Sequence, residues 1–135
     1  MIGLLVAAML QPQADPCYAV PAPRPLPAGC PRWEVTERLV SNFSYIDAAP
    51  VRRTGDTFEI RFRTVLRQTN DNNVRSNVHL YRYDCRARTV TLLSTSDYSA
   101  AGVRLLLATA PEDAAFTSVP PRGSRHAALL NRHCR

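Results

Sequence analysis

The stretch that decides the fold runs from Phe43 to Arg63 and reads "FSYIDAAPVRRTGDTFEIRFR". Its Thr-Gly-Asp sequence at residues 54–56 predicts a turn, because Gly55 adopts a positive φ without steric cost. After the turn, apolar and polar residues alternate, which is typical of a half-buried antiparallel strand. The apolar side of this strand carries Phe58, Ile60 and Phe62, and its polar side carries Glu59, Arg61 and Arg63.

Further strands are predicted on both sides of this hairpin. "RWEVTERLV" at residues 32–40 favours a first strand, and residues 74–85 and 88–99 favour two more, joined between Asp84 and Arg88. Asp47, at the end of "FSYID", suits a cap on the turn that follows it. Residues 98–110 are ambiguous between strand and helix, and residues 112–121 between loop and short edge strand.

The C-terminal sequence "GSRHAALLNRHC", residues 123–134, predicts a helix. Ser124 is a suitable N-cap, and the prolines at 120 and 121 separate the helix from what precedes it. Ala127, Ala128 and Leu130 are expected to face the sheet. The predicted fold class is therefore α+β: an antiparallel sheet with a C-terminal helix packed on it.

Three regions follow from composition along the chain. Residues 1–14 contain the apolar run "MIGLLVAAML", too short to cross a bilayer and similar to the core of a secretory signal. Residues 15–31 form a proline-rich arm. Arms of this composition are more often linkers or stalks than recognition tracts. Residues 32–135 form the domain. We therefore expect an exported protein that is periplasmic, secreted or on the cell surface.

The four cysteines are Cys17, Cys30, Cys85 and Cys134. No CxxC pair is present, so a metal site is not expected. In an oxidising compartment they predict two disulfides, for which three connectivities exist. We favour Cys17 with Cys30 and Cys85 with Cys134, while free cysteines in a cytosolic protein are the alternative. The fold is thus expected to be stapled by disulfides.

The charge comes from arginine, since the chain has 17 basic residues, 11 acidic residues and no lysine. A net charge of +6 favours an acidic protein or glycan partner, and no nucleic-acid fold signature accompanies it. Tyr81 and Tyr83 interleave with arginines, a composition that suits recognition surfaces. The candidate binding residues are Arg61, Arg63, Arg86 and Arg88; a solvated face that only opposes self-association is the alternative, and a homodimer stays open.

Catalysis has weaker support in the sequence. The residue types of a triad are present at His79, Asp84, Asp97, Ser124 and His126, but no G-x-S-x-G motif accompanies them. A small secreted basic nuclease would need His79 to meet His126 or His133. We therefore expect no enzymatic activity, no cofactor and no metal.

The order of motifs resembles the surface-adhesin protein E family. The motifs are "YIDAAPVRRTGDTFEIRFR", then "YDCRARTVTLLSTSDYSAAG", then "VPPRGSRHAALLNRHC". The resemblance runs from about Trp33 to Cys134 and implies an exported bacterial domain with a sheet and a helix. It supports the pairing of Cys85 with Cys134, and it favours Arg86 and Arg88 as contact residues.

The resemblance also implies a function, the binding of host extracellular-matrix proteins such as vitronectin and laminin. This chain departs from the family pattern in its proline arm, in Cys17 and Cys30, and in its lack of lysine. A periplasmic structural or assembly factor with an unknown partner is the alternative function.

Overall fold

The computed structural model describes residues 13–47, 50–110 and 116–134. Within these ranges, eight strands form one antiparallel sheet: β1 (Trp33–Arg38), β2 (Asn42–Asp47), β3 (Arg52–Thr54), β4 (Thr57–Leu66), β5 (Ser76–Asp84), β6 (Thr89–Tyr98), β7 (Arg104–Thr109) and β8 (Thr117–Ser118). One α-helix, α1 (Arg125–His133), follows them, and a short 3₁₀ turn (Pro16–Tyr18) precedes them. The predicted signal segment falls almost wholly on residues 1–12, outside the described residues. Within the described ranges, no helix is long and apolar enough to cross a membrane.

The strand order is β1-β2-β4-β5-β6-β7, with β3 added to β4 and β8 added to β6. The hairpin between β3 and β4 turns at Gly55, whose φ of 56° is the positive value that the sequence required. The ambiguous segment of residues 98–110 contains β7, which is an edge strand, and the later one contains the short β8. The protein is mainly antiparallel β-sheet, so the expected α+β class fits roughly, through its nine-residue helix.

One face of the sheet, called here the helix face, packs against α1. Its core contains Phe58 and Tyr83, whose rings stack at 4.9 Å, together with Ile60 and the helix residues Leu129 and Leu130. Ser124 caps the helix as predicted, its Oγ accepting a hydrogen bond from the Ala127 amide at 3.2 Å. A disulfide joins Cys85, after β5, to Cys134, after the helix.

The predicted helix contacts need one correction. Ala128 is exposed, whereas Leu129 is buried together with Leu130. Two consecutive leucines can both be buried because successive helical residues are about 100° apart, which is about the width of the apolar stripe that a helix turns to the core. The helix therefore rests on its leucines and places Ala128 toward solvent.

The opposite face, called here the arm face, carries the proline-rich arm at one end. Tyr18 stacks on Tyr98 at 4.2 Å between ring centroids, and Val78 and Trp33 complete a second core. Backbone hydrogen bonds join Asp15 to Gly102 at 2.9 Å and Val20 to Ala100 at 2.8 Å. A Cys17–Cys30 disulfide closes the arm on itself, which completes the favoured connectivity. Residues 14–20 are thus packed on the sheet.

Candidate binding surfaces

Arg63 lies under the arm. It is only 6% exposed, and its Nη2 donates a hydrogen bond to the Tyr18 carbonyl oxygen at 2.9 Å. The guanidinium carbon also lies 5.7 Å from the Tyr18 ring centroid and 5.6 Å from that of Trp33. Burial lowers the pKa of Arg63, although the nearby tyrosines oppose that effect. The expectation that Arg63 shares an accessible surface with Arg61 is wrong, because the arm covers it.

Arg61 projects from the same strand face and is only partly buried. Its Nη1 lies 3.5 Å from Oδ2 of Asp47, whose side chain is buried. Asp47 is the last residue of β2, and residues 48 and 49, where its predicted turn cap would act, lie outside the described residues. Arg61 is partly exposed, and the ion pair with Asp47 engages only one of the five N–H donors of its guanidinium.

Two more arginines flank Arg61 on the arm face. In the strand register Arg52 of β3 pairs with Glu59 of β4, and Glu59 pairs with Arg82 of β5. Residues directly opposite one another share a face, about 5 Å apart. We call Arg52, Glu59, Arg61 and Arg82 the open patch. Arg52 and Arg82 are both exposed.

The sequence contains a signal for Arg52 as a patch residue, although Arg52 is not among the predicted binding residues. Once the turn at residues 54–56 is placed, the hairpin register puts Arg52 opposite Glu59, and therefore on the same face as Arg61. To predict Arg82 as a patch residue, the register of β4 with β5 had to be known. The length of the loop between these strands does not determine that register.

Arg86 and Arg88 occupy the turn between β5 and β6. Asp84 organises this turn, since its Oδ1 accepts hydrogen bonds from the amides of Arg86 and Ala87. Arg86 is highly exposed and lies 3.5 Å from Asp56, while the Arg88 Nη2 donates to the side-chain oxygen of Asn131 on α1. The four predicted arginines are therefore divided among the open patch, the buried arm contact and this turn.

Two of the three histidines, His79 and His126, lie near Tyr81 on the helix face, whereas the His133 ring lies 5.1 Å from that of Phe58. The His126 ring lies 4.6 Å from Tyr81, and the His79 ring lies 6.1 Å from it. The Tyr83 hydroxyl and His126 Nδ1 are hydrogen-bonded at 2.7 Å. Burial lowers the pKa of His126, and Arg125 lowers it further; burial also lowers the pKa of His79, opposed by Asp97.

This cluster is separated from the open patch by the sheet itself. His79 pairs with Phe62 and Tyr81 with Ile60, which places both on the helix face, whereas Arg61 points to the arm face. Ser124 caps the helix and Asp84 organises a turn, so both have structural roles here. The geometry thus brings His79 and His126 near one ring but places them on the other side of the sheet from the patch arginines.

Strand β7 is a feature whose surface role the sequence did not predict. Leu105, Leu106 and Leu107 are 40%, 55% and 48% exposed on this edge strand. Neither the helix nor the arm covers them, so apolar side chains are accessible at one end of the sheet. Exposed apolar edges of this kind favour contact with other protein chains.

The domain just described, from β1 to the end of α1, matches a known family. The family model for surface-adhesin protein E matches residues 33–135. The chain belongs to the surface-adhesin protein E family. No curated protein and no solved structure matches the chain significantly. The matched range begins at the first residue of β1, so the arm that packs on the sheet precedes the family domain.

Proposed function

We propose that this protein is an exported, non-catalytic binding domain that contacts an acidic surface on a partner protein through the open patch. The observation that carries the proposal is the pairing of Arg52, Glu59 and Arg82 across three strands, beside Arg61. Membership in the surface-adhesin protein E family supports a role in binding at or beyond the cell surface.

Rigidity is the physical argument for this face. Strand pairing fixes the patch arginines at their backbones, so fewer degrees of freedom are lost on binding than at a loop. Arginine forks also bind carboxylates in a bidentate manner, which gives directional as well as electrostatic recognition. The helix fills the other face and the arm fills the far end of this one, which leaves the open patch accessible.

A protein partner is favoured over a purely polyanionic glycan because the patch is mixed in charge. Glu59 lies between Arg52 and Arg82, and Asp47 pairs with Arg61, so the positive potential is divided by acidic groups. A partner with both carboxylates and donors would match this pattern, whereas a continuous polyanion would meet Glu59 unfavourably. Extracellular-matrix proteins such as vitronectin and laminin are the candidate partners that family membership suggests.

The test is binding of the oxidised protein to immobilised vitronectin and laminin at about 0.15 M ionic strength, where long-range attraction by net charge is screened. We expect the Arg52→Gln/Arg82→Gln variant to bind about tenfold more weakly, mainly through faster dissociation. The matched control is Arg24→Gln/Arg104→Gln, which removes the same charge from exposed positions elsewhere. An equal loss in both variants would reduce the effect to net charge and reject the patch.

A further inference from the structure

A cavity of about 560 Å³ lies between the turn after β5, the loop that precedes α1, and the helix itself. Two arginines line it, Arg88 from the turn and Arg122 from the loop. Val119, Ala127 and Leu130 supply apolar walls. Its volume is in the range of sites that hold small ligands or single side chains.

The charge of this cavity is not balanced by the described residues around it. No acidic side chain in the described part of the chain lines it, and neither Arg88 nor Arg122 forms an ion pair with a described residue. Arg88 uses one donor on the Asn131 side-chain oxygen. A guanidinium has five N–H donors, so others stay available for an anion.

The backbone at Arg88 points to the same place. Its φ is 56°, in the left-handed region that glycine and asparagine occupy at lower cost than other residues. The arginine at this position extends a long cationic side chain to Asn131 of α1, although glycine or asparagine would fit the turn backbone at lower cost. Strained positions of this kind are concentrated at ligand contacts.

The apolar walls restrict the ligand further. Val119, followed by two prolines, is 72% exposed at this cavity, which makes it one of the most accessible large apolar side chains described. A simple inorganic anion would leave Val119 uncovered, and a polyanionic glycan has little apolar surface to place on it. A carboxylate with an aliphatic neighbour would satisfy the arginines and cover Val119 together.

We propose that this cavity, which is separate from the open patch, binds an acidic side chain of a partner peptide through Arg88 and Arg122, with a flanking aliphatic residue packed on Val119. The ligand class is thus a peptide with an aspartate or glutamate beside leucine, isoleucine or valine. The carboxylate accepts hydrogen bonds from both guanidinium groups, and one Arg88 donor stays on Asn131.

The experiment is a titration of the ¹⁵N-labelled, oxidised full chain with short blocked peptides, followed by amide chemical shifts. The probes are acetyl-Gly-Leu-Glu-Leu-Gly-amide, its glutamine analogue, and its analogue with serine for both leucines. We expect the first peptide to shift the amides of Gly123, Ala127 and Asn131, and each analogue to bind about tenfold more weakly or worse. A chain-terminal carboxylate is tested by the glutamine peptide with a free C-terminus.

Variants then assign the contact. Arg88→Gly removes one cation at a backbone position that glycine occupies readily, so the fold should be retained while peptide affinity falls about tenfold or more. Arg122→Gln should have a similar effect, and Arg24→Gln, with the same charge change in the arm, should have none. Equal shifts with the glutamine peptide, equal loss in Arg24→Gln, or tighter binding of a heparin oligosaccharide to the same amides would each overturn the proposal.

Discussion

The Arg63 guanidinium donates to the backbone carbonyl of Tyr18 across 45 positions of sequence, and its central carbon lies 5.7 Å from the Tyr18 ring centroid and 5.6 Å from that of Trp33. A buried charge is tolerated only where it is hydrogen-bonded, and the arm supplies that acceptor. This contact therefore joins the arm to the sheet and explains why one arginine of a polar strand face is inaccessible.

Arg63→Ala should weaken this attachment. It removes a charged hydrogen bond and leaves a cavity beside the Tyr18 and Trp33 rings, so we expect a loss of about 3 kcal/mol in the free energy of unfolding. Trp33 is the only tryptophan, so its fluorescence reports directly on this contact. Urea unfolding followed by tryptophan emission is the measurement. Arg67→Ala, at an exposed arginine that donates to the Leu39 carbonyl, should cost less than about 1 kcal/mol.

Gly102 supports the same attachment from the sheet side. A Cβ at this residue would lie 2.2 Å from the Asp15 carbonyl oxygen, and its φ is 85°. Gly102→Ala should therefore displace the arm and speed hydrogen exchange of the Asp15 amide, which donates to the Gly102 carbonyl. The steric clash adds to the left-handed backbone cost of about 1–2 kcal/mol.

The control for Gly102 separates the two effects. Gly123 has a φ of 84° but open space where its Cβ would be. Gly123→Ala should therefore show the backbone cost alone, with normal protection of the Asp15 amide. If both variants lose equal stability and leave that amide protected, the close approach of the arm to Gly102 is not what holds it.

The strands were predictable because the alternation that defines them is local in sequence. The exposure of their side chains was not predictable, because it depends on residues distant in sequence. The alternation from Phe58 to Phe62 predicted β4 and its two faces, and it correctly placed Arg61 and Arg63 on the same face. The exposure of those two arginines differs because the arm covers only Arg63. The arm is held there by Tyr18, which stacks on Tyr98, a residue distant in sequence.

Two other features depended on their neighbours in space. The leucines of β7 show no alternation of apolar and polar residues, because no element in the described part of the chain covers either face of this edge strand. The cavity of Arg88 and Arg122 is formed by a turn and a loop more than thirty residues apart, and arginines at such positions carry no local signal. Family resemblance indicated the fold and the binding class, but it did not divide the arginines among their surfaces.

The burial of His126 makes the free energy of unfolding depend on pH. Burial lowers the pKa of His126 below its unfolded value of about 6.5. As the pH falls below 6.5, the unfolded chain therefore binds more protons than the folded protein does. The contribution of neutral His126 to the free energy of unfolding is complete above pH 6.5, and it is lost as the pH falls through the lower folded pKa. The pKa values of His79 and His133 are also lowered, so all three histidines act in the same direction.

Chemical unfolding at pH 7.5, 6.5 and 5.5 measures this dependence. We expect the free energy of unfolding to fall over that range, and His126→Gln to reduce the slope, since glutamine keeps an acceptor for the Tyr83 hydroxyl without titrating. The groups that face His126 are Tyr81, Tyr83, Phe62 and Arg125, of which Arg125 is charged throughout. A slope unchanged by His126→Gln would assign the dependence to the other histidines.

The two disulfides should have separable effects, because each supports a different face of the sheet. Cys85–Cys134 closes a 49-residue separation and holds the end of α1, and the chain-entropy model assigns it about 4 kcal/mol. A nine-residue helix is marginal without tertiary support, so Cys85→Ala/Cys134→Ala should lower both stability and helical circular dichroism. The Trp33 emission of the folded protein should not change.

Cys17–Cys30 closes a 13-residue separation, for which the same model gives about 3 kcal/mol. Because Cys17 packs on the core of Tyr18, Val78 and Tyr98, Cys17→Ala/Cys30→Ala should instead shift the Trp33 emission and release the Asp15 amide. Its helical signal should match that of the unaltered protein. If both double variants changed the helix and Trp33 together, the arm and the helix would belong to one cooperative unit, and the two faces would not be energetically separable.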